Sequence, residues 1–234
     1  RAIQRLEDEV GSALLHRGPD GEGYFIHPSI NMGMKRLSII DIENGNQPFM
    51  TDDKSIIAIC NGEIYNYQNL KNELINKGYS FKTNNDVEVI PNLYKENGID
   101  FVNKLNGMFA IALYDINKST LYLIRDRLGI KPLYYSTMNN EVIFASELKP
   151  ILLSGLCKVE MDFESINSFL DLNYIPHPKT PIKNIFKLNP GSILKVENNS
   201  NKIIKYWGPQ LPDSQKTNQK NIIEEFKYLI EDSV

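Results

Sequence analysis

Cysteine, histidine and tryptophan are scarce: two, three and one in 234 residues. The two cysteines, Cys60 and Cys157, are too few for a disulfide framework or a four-cysteine zinc site. His16, His27 and His177 include no pair at a metal-ligand spacing such as HxxxH, so no metal site is expected. No apolar run reaches the roughly 18 residues of a membrane helix, and no basic-then-apolar leader opens the sequence. GxGxxG and GxxxxGK[ST] are both missing, so no cofactor or phosphate loop is expected, and there is no GxSxG elbow. Charge of one sign is also lacking. The 26 basic and 29 acidic residues leave a net charge of −3, which excludes a strongly basic nucleic-acid binder. What remains is an ordinary globular composition, 41% apolar and 24% charged, with a cytoplasmic location expected. The length suits one large domain, or one domain and the start of another.

Residues 11–23 (GSALLHRGPDGEG) hold four glycines and a proline and predict a loop. Strands are predicted over 33–41 and over the short apolar run 55–60. A helix over 67–77 ends at Gly78. A second over 86–96 starts with Asp86 as N-cap. Short strands follow at 108–115, 120–126, 132–136 and 142–146, then helices at 147–153 and 163–171. A connection through Pro176, Pro178 and Pro181 leads to a hairpin at 191–207 that turns at ENNSN. Residues 208–220 are polar and predict a linker. Many short strands with helices in two clusters indicate an α+β layered domain, not a doubly wound sheet. The two ends differ from this pattern. Ala2, Ile3, Leu6 and Val10 have helical spacing, as if a helix were entered partway. Residues 221–234 place Ile222, Ile223, Phe226, Leu229, Ile230 and Val234 on one helical face that needs a cover. Both ends are expected to belong to a longer protein.

Arginine is the informative cation. There are 20 lysines and six arginines, and four of the six stand in marked segments: Arg17 in HRGPD, Arg36 in KRLSIID, and Arg125 and Arg127 in RDRLGIKP. A guanidinium fork holds a carboxylate through two parallel hydrogen bonds as an ammonium cannot, so each is a candidate for either a structural or a binding role. Asn61-Gly62 in CNGEIYN is first a turn signal. Its functional alternative is a pair of converging donors, the side-chain amide and a backbone N–H, as an oxyanion requires. Glu63 beside it has the chemistry to accept from a substrate amide. Asp86 is either a helix cap or a carboxylate for a substrate ammonium. Cys60 ends an apolar strand and is expected to be a buried, inert thiol.

The strings HRGPDGEG, KRLSIIDIENGNQPF, CNGEIYNYQNLKNEL, NNDVEV, LNGMFAIALYD, RDRLGIKPLYY, FASELKPIL and KLNPGSIL occur in this order. The run resembles the class II glutamine amidotransferase domain of glutamine-hydrolysing asparagine synthetases, over about residues 12 to 207. The resemblance implies a four-layer αββα sandwich of the N-terminal-nucleophile hydrolase type, here without its first strand. It implies L-glutamine as substrate. Arg36 aligns with the clamp on the α-carboxylate, and Leu37, Ser38, Ile39 and Ile40 with the pocket wall. Asn61 and Gly62 align with the oxyanion hole, Glu63 with a contact to the substrate amide and amine, and Asp86 with the carboxylate that receives the α-ammonium. The family's nucleophile, an N-terminal cysteine followed by glycine, has no counterpart here, so residues 1–234 alone are expected to be inactive. The resemblance also implies a C-terminal synthetase domain in cis, which uses ATP and Mg2+, with residues 1–207 as the amidotransferase domain, 208–220 as linker and 221–234 as the first synthetase helix. No cofactor is implied for this chain itself, and dimers are common in the family. Two alternatives stay open: a relative that amidates another carboxylate, and a glutamine-binding module without turnover.

Overall fold

The computed structural model describes residues 11–138, 141–198, 200–210 and 219–233. The expectation of a helix through Ala2, Ile3, Leu6 and Val10 lies outside these residues, as does most of the expected linker.

The scaffold is an antiparallel six-stranded sheet. It contains β3 (Phe49–Met50), β4 (Ile56–Ile64), β5 (Gly107–Asp115), β6 (Thr120–Arg125), β10 (Ser192–Glu197) and β11 (Ser200–Lys205), in the order β11-β10-β6-β5-β4-β3. Both faces of its central strands are covered, which is why they read as continuous apolar runs. Alternation sends Ile56, Ala58 and Cys60 of β4, with Phe109, Ile111 and Leu113 of β5, to one face. There they pack under α1 (Tyr67–Asn76) and α2 (Val89–Asn97) through Leu70, Leu74, Ile90 and Leu93. Ile57, Ile59, Ala110, Ala112 and Tyr114 point to the other face. Each such large side chain contributes about 1.5–3 kcal/mol by leaving water.

The opposite face carries two smaller sheets. One is the hairpin of β1 (Gly21–His27) and β2 (Ile30–Arg36). The other is β7 (Tyr134–Met138) between β8 (Glu141–Ala145) and β9 (Phe186–Lys187), in the order β8-β7-β9. Behind it, α3 (Leu148–Leu153) packs Ile151 against Tyr134, Ile143 and Ala145. Helix, sheet, sheet, helix is the expected four-layer order. A fourth helix, α4 (Phe163–Leu172), and a fifth, α5 (Gln219–Ser233), complete the described elements. Ile222, Ile223, Phe226, Leu229 and Ile230 of α5 are exposed, so the apolar stripe predicted there is uncovered among the described residues. No described helix is long and apolar enough to cross a membrane.

Three local expectations are corrected. The segment 11–23 is not a plain loop. It forms a 3-10 helix over Ser12–Arg17 and the start of β1, because Gly21 and Gly23 pair in register with Arg36 and Met34. The strand expected over 33–41 begins at Ile30 and stops at Arg36; the following residues loop around the Arg36 guanidinium. Asp86 is not the helix cap. Asn85 is, with its side-chain oxygen accepting from the Val87 amide at 3.0 Å, and the first turn (Asp86–Glu88) is 3-10 before α2 begins.

β2 pairs with β1 and β8 with β7, and among the described residues neither has a strand on its other side. All of β2 and all of β8 line one cavity of about 950 Å³. Ile59, Ala110, Ala112 and Tyr114 of the large sheet form its apolar wall.

Candidate functional site

Among the described residues, the site is built where β4 runs out of strand partners on one edge. β3 covers only Ile57 and Ala58. Further along, side chains take over that edge. The Gln47 amide pairs with the Cys60 backbone in both directions. Its Nε2 donates to the Cys60 carbonyl at 3.1 Å and its Oε1 accepts from the Cys60 amide at 2.7 Å. Four residues on, the Ile64 amide donates to Asp86 Oδ2 at 2.8 Å. Amides two residues apart project from the same edge of a strand. The Gly62 N–H therefore projects between these two capped positions, beside the cavity that Gly62 lines.

Gly62 is confined to glycine by its backbone. Its φ is +149°, and a Cβ there would meet the Met108 carbonyl oxygen at 2.0 Å. Asn61-Gly62 is thus not a turn but an interior stretch of β4, in register with Ala110 and Phe109. Asn61 Nδ2 donates to Ser146 Oγ at 3.3 Å, which leaves its second N–H for another acceptor.

Arg36 is 5% exposed and wrapped by the loop that follows it. Its NH1 donates to the Ile42 carbonyl and to Asn46 Oδ1, at 3.0 and 3.1 Å. Its NH2 donates to the carbonyls of Ile40 and Asp41, at 3.0 and 2.8 Å. The two terminal nitrogens organise the loop, and Arg36 lines the cavity. The loop is fastened to the Asp86 segment by Asn85 Nδ2 on the Ile40 carbonyl (2.9 Å) and the Asn84 amide on Asp41 Oδ2 (2.8 Å).

Asp86 is 3% exposed. Burial raises its carboxyl above the ordinary aspartate value; the Ile64 amide pulls it back, and the charge of Glu63 pushes it up again. A buried carboxylate under this strain gains most from an incoming cation. Cys60 behaves as expected. Its side chain lies in the helix-side core, and burial pushes its thiol well up.

Of the residues singled out from sequence, Arg36, Leu37, Ile39, Ile40, Asn61, Gly62, Glu63 and Asp86 line the one cavity. Ser38 is not on its wall; its amide donates to Asp20 Oδ2 at 2.8 Å. Arg17 is on the wall, where its NH1 meets Glu147 Oε1 at 3.1 Å. Arg125 and Arg127 are not; they bind backbone carbonyls elsewhere. Sequence reasoning missed Gln47, Asn85 and Ser146. Gln47 and Ser146 meet their partners 13 and 85 residues away, so no local spacing marks them, whereas Asn85 is a local cap one position before Asp86. Among the described residues, no cluster of three His, Cys, Asp or Glu could hold a metal ion.

Comparison with known proteins agrees with this arrangement. The glutamine amidotransferase domain family matches residues 3–207. Asparagine synthetase [glutamine-hydrolyzing] 1 of Bacillus subtilis is 37% identical over 231 residues, covering 99% of this chain and 36% of that protein. Putative asparagine synthetase [glutamine-hydrolyzing] 2 of Methanocaldococcus jannaschii is 38% identical over 254 residues, covering 99% of this chain and 49% of that protein. The chain thus spans between a third and a half of the length of these relatives. In structure, the glutamine phosphoribosylpyrophosphate amidotransferase of B. subtilis superimposes with a TM-score of 0.55 at 20% identity, covering 76% of this chain and 35% of that one. That likeness shows the N-terminal-nucleophile type of fold. With the matched residues spanning all four layers of the sandwich and every wall of the cavity, this chain belongs to the glutamine amidotransferase domain family.

Proposed function

We propose that this chain is the glutaminase part of a glutamine-hydrolysing asparagine synthetase. The observation that carries the reading is the convergence on one cavity of an amide donor pair, a buried carboxylate and a caged guanidinium. In this reading Asp86 receives the α-ammonium of L-glutamine. Arg36 offers Nε–H and its charge to the α-carboxylate, beside the backbone of residues 37–40. Glu63 accepts from the substrate's amine or side-chain amide. The side-chain carbonyl of glutamine then points at Asn61 Nδ2 and the Gly62 N–H.

The reaction follows from those positions. A cysteine sulfur adds to the amide carbon, and the carbonyl oxygen takes up negative charge between the two donors. The cysteine's own α-amine takes the thiol proton as the sulfur adds; collapse of the adduct breaks the C–N bond, and that proton passes to the nitrogen, which leaves as ammonia. Water then cleaves the thioester to glutamate, again through an oxyanion at the same donors.

Cys60 also lines the cavity, but its side chain packs in the helix-side core and burial pushes its thiol well up, so in this reading it does not supply the sulfur. In this reading the sulfur is that of the family's N-terminal cysteine, acting in the cavity walled by Ile59, Ala110 and Ala112. The released ammonia amidates aspartate in a C-terminal synthetase domain that begins at about residue 221 and is the part of the protein that uses ATP and Mg2+.

The test uses the full-length protein. It converts glutamine, aspartate, ATP and water to glutamate, asparagine, AMP and pyrophosphate, and it also accepts free ammonia. Asn61→Ala lowers the glutamine-dependent rate by about 10²–10³ and leaves the ammonia-dependent rate unchanged. Asparagine made from ammonia but never from glutamine would overturn the glutaminase reading. Glutamate release with no amidation of aspartate would assign the domain to a different carboxylate acceptor. Residues 1–234 alone bind glutamine and release no ammonia; release abolished by Asn61→Ala would return Cys60 to consideration.

A further inference from the structure

The string FASELKPIL carries part of the family resemblance, yet the mechanism above gives its residues no role. In the fold it runs from the end of β8 into α3, in the sheet opposite β4. Ser146 is its point of contact with the site. We propose that Ser146 is a positioning residue: its hydroxyl fixes the plane of the Asn61 amide, so that the second Nδ2–H is aimed at the reacting carbonyl. This rests on the oxyanion role proposed for Asn61.

An asparagine amide rotates easily about its last bond, and its oxygen and nitrogen are nearly the same size. A donor that must meet developing charge loses its value if the amide turns its oxygen inward. The Gly62 donor has no such freedom, since it is backbone in a strand paired with β5. Asn61 depends on its neighbours, and the side-chain hydrogen bond recorded for it is the one to Ser146 Oγ at 3.3 Å. That bond uses one Nδ2–H and leaves the other, about 120° away in the same plane.

Ser146 is itself held. Glu147, the next residue, accepts through Oε1 from His16 Nε2 at 3.0 Å and from Arg17 NH1 at 3.1 Å. On the helical side, Ile151 of α3 is fully buried in its own cluster. The hydroxyl therefore reaches across from one sheet layer to the other on a fixed backbone. Ser146 also lines the cavity, and its hydroxyl oxygen accepts the bond.

The experiment is a double-mutant cycle in the full-length protein, read as glutamate release and as ammonia-dependent synthesis. Ser146→Ala lowers kcat for glutamine by about tenfold, with KM within about twofold, because a donor used mainly in the transition state is misaimed. Ammonia-dependent synthesis is unchanged, and Ser146→Thr, which keeps the hydroxyl, restores kcat. Asn61→Ala/Ser146→Ala is no slower than Asn61→Ala alone, since Ser146 acts through Asn61. A wild-type kcat in Ser146→Ala overturns the proposal, as do fully additive losses in the double variant. An equal fall in ammonia-dependent synthesis would mean a structural role and would also overturn it. If Asn61→Ala itself hydrolyses glutamine at the wild-type rate, the oxyanion reading fails first, and this inference with it.

Discussion

Two arginines in this molecule do nearly the same chemistry in different places. Arg36 gathers the carbonyls of Ile40, Asp41 and Ile42 around its terminal nitrogens. Arg125 gathers those of Gly129, Lys131 and Leu188, at 2.8, 2.9 and 2.6 Å. Both are nearly buried and both tie down the loop that follows them. Around Arg125 the fastening is doubled, because the Asp126 carboxylate accepts from the amides of Leu128, Ile130 and Lys131. Gly129 closes that loop at φ +69°, where a Cβ would lie 3.1 Å from the Arg125 guanidinium carbon. The difference is position. The loop of Arg36 forms the cavity wall beside Asp86, whereas Arg125 is on no part of that wall. A lysine has too few directed donors for either cage. Arg36 and Arg125 therefore both mark loops bound through their carbonyls, and only the surroundings of each loop decide whether a substrate meets it.

The comparison breaks or sharpens under substitution. The largest effect is expected for Arg125→Ala. Three buried carbonyls lose their donor together, which costs on the order of 3–5 kcal/mol of stability. Chemical denaturation measures it, and the protein that remains folded keeps its glutamine KM. A raised KM in that folded fraction would erase the distinction between the two loops.

Arg36→Lys is expected to cost less stability, about 1–3 kcal/mol, because a lysine retains one or two of the bonds. It raises the glutamine KM by about tenfold or more, for a loss of roughly 1.4 kcal/mol or more in binding. Steady-state assays with glutamine and with ammonia check this, and only the former changes.

Asp86→Asn has the smaller and opposite effect on stability. Burial raises the carboxyl in the folded protein. Between the unfolded and folded values, the folded state holds a proton that the unfolded chain has lost. Stability from this group therefore falls as pH rises through that window, and at neutral pH the charge is a net cost. Asp86→Asn is expected to raise the melting temperature while weakening glutamine binding. In the unaltered protein, the glutamine KM rises as pH falls through the folded value of Asp86. A melting temperature that drops in Asp86→Asn would mean that the Ile64 amide bond outweighs burial.

The smallest effect belongs to an ion pair on the surface. Lys77→Ala breaks the contact with Glu96, whose partners stay 49% and 30% exposed, and should cost under about 1 kcal/mol. It serves as the baseline against which the two arginine loops are read.

Much of this was legible along the chain. The strands from β5 to β8, the hairpin at 192–205, the helix over 67–76 and the buried thiol of Cys60 follow from patterns a few residues long. Asn61, Gly62, Asp86 and Arg36 stood out because their residue types suit an oxyanion, an ammonium and a carboxylate. The cap at Asn85 was missed by one position, since Asn and Asp are equally good caps. The hairpin of β1 was hidden because its glycines signal a loop until Arg36 and Met34 are seen opposite them.

What the sequence by itself determined is therefore local: alternation, turn chemistry and the supply of functional groups, all set by interactions between near neighbours. Tertiary structure alone decided which groups meet. Gln47 on the edge of β4, Ser146 on the Asn61 amide and Asp86 on the Ile64 amide join residues 13, 85 and 22 positions apart. Such bonds exist only once distant segments have packed together, a loop and a helix start onto the edge of β4 and a second sheet onto its face. Packing is driven by apolar area, which does not depend on the identity of the polar residues it brings together.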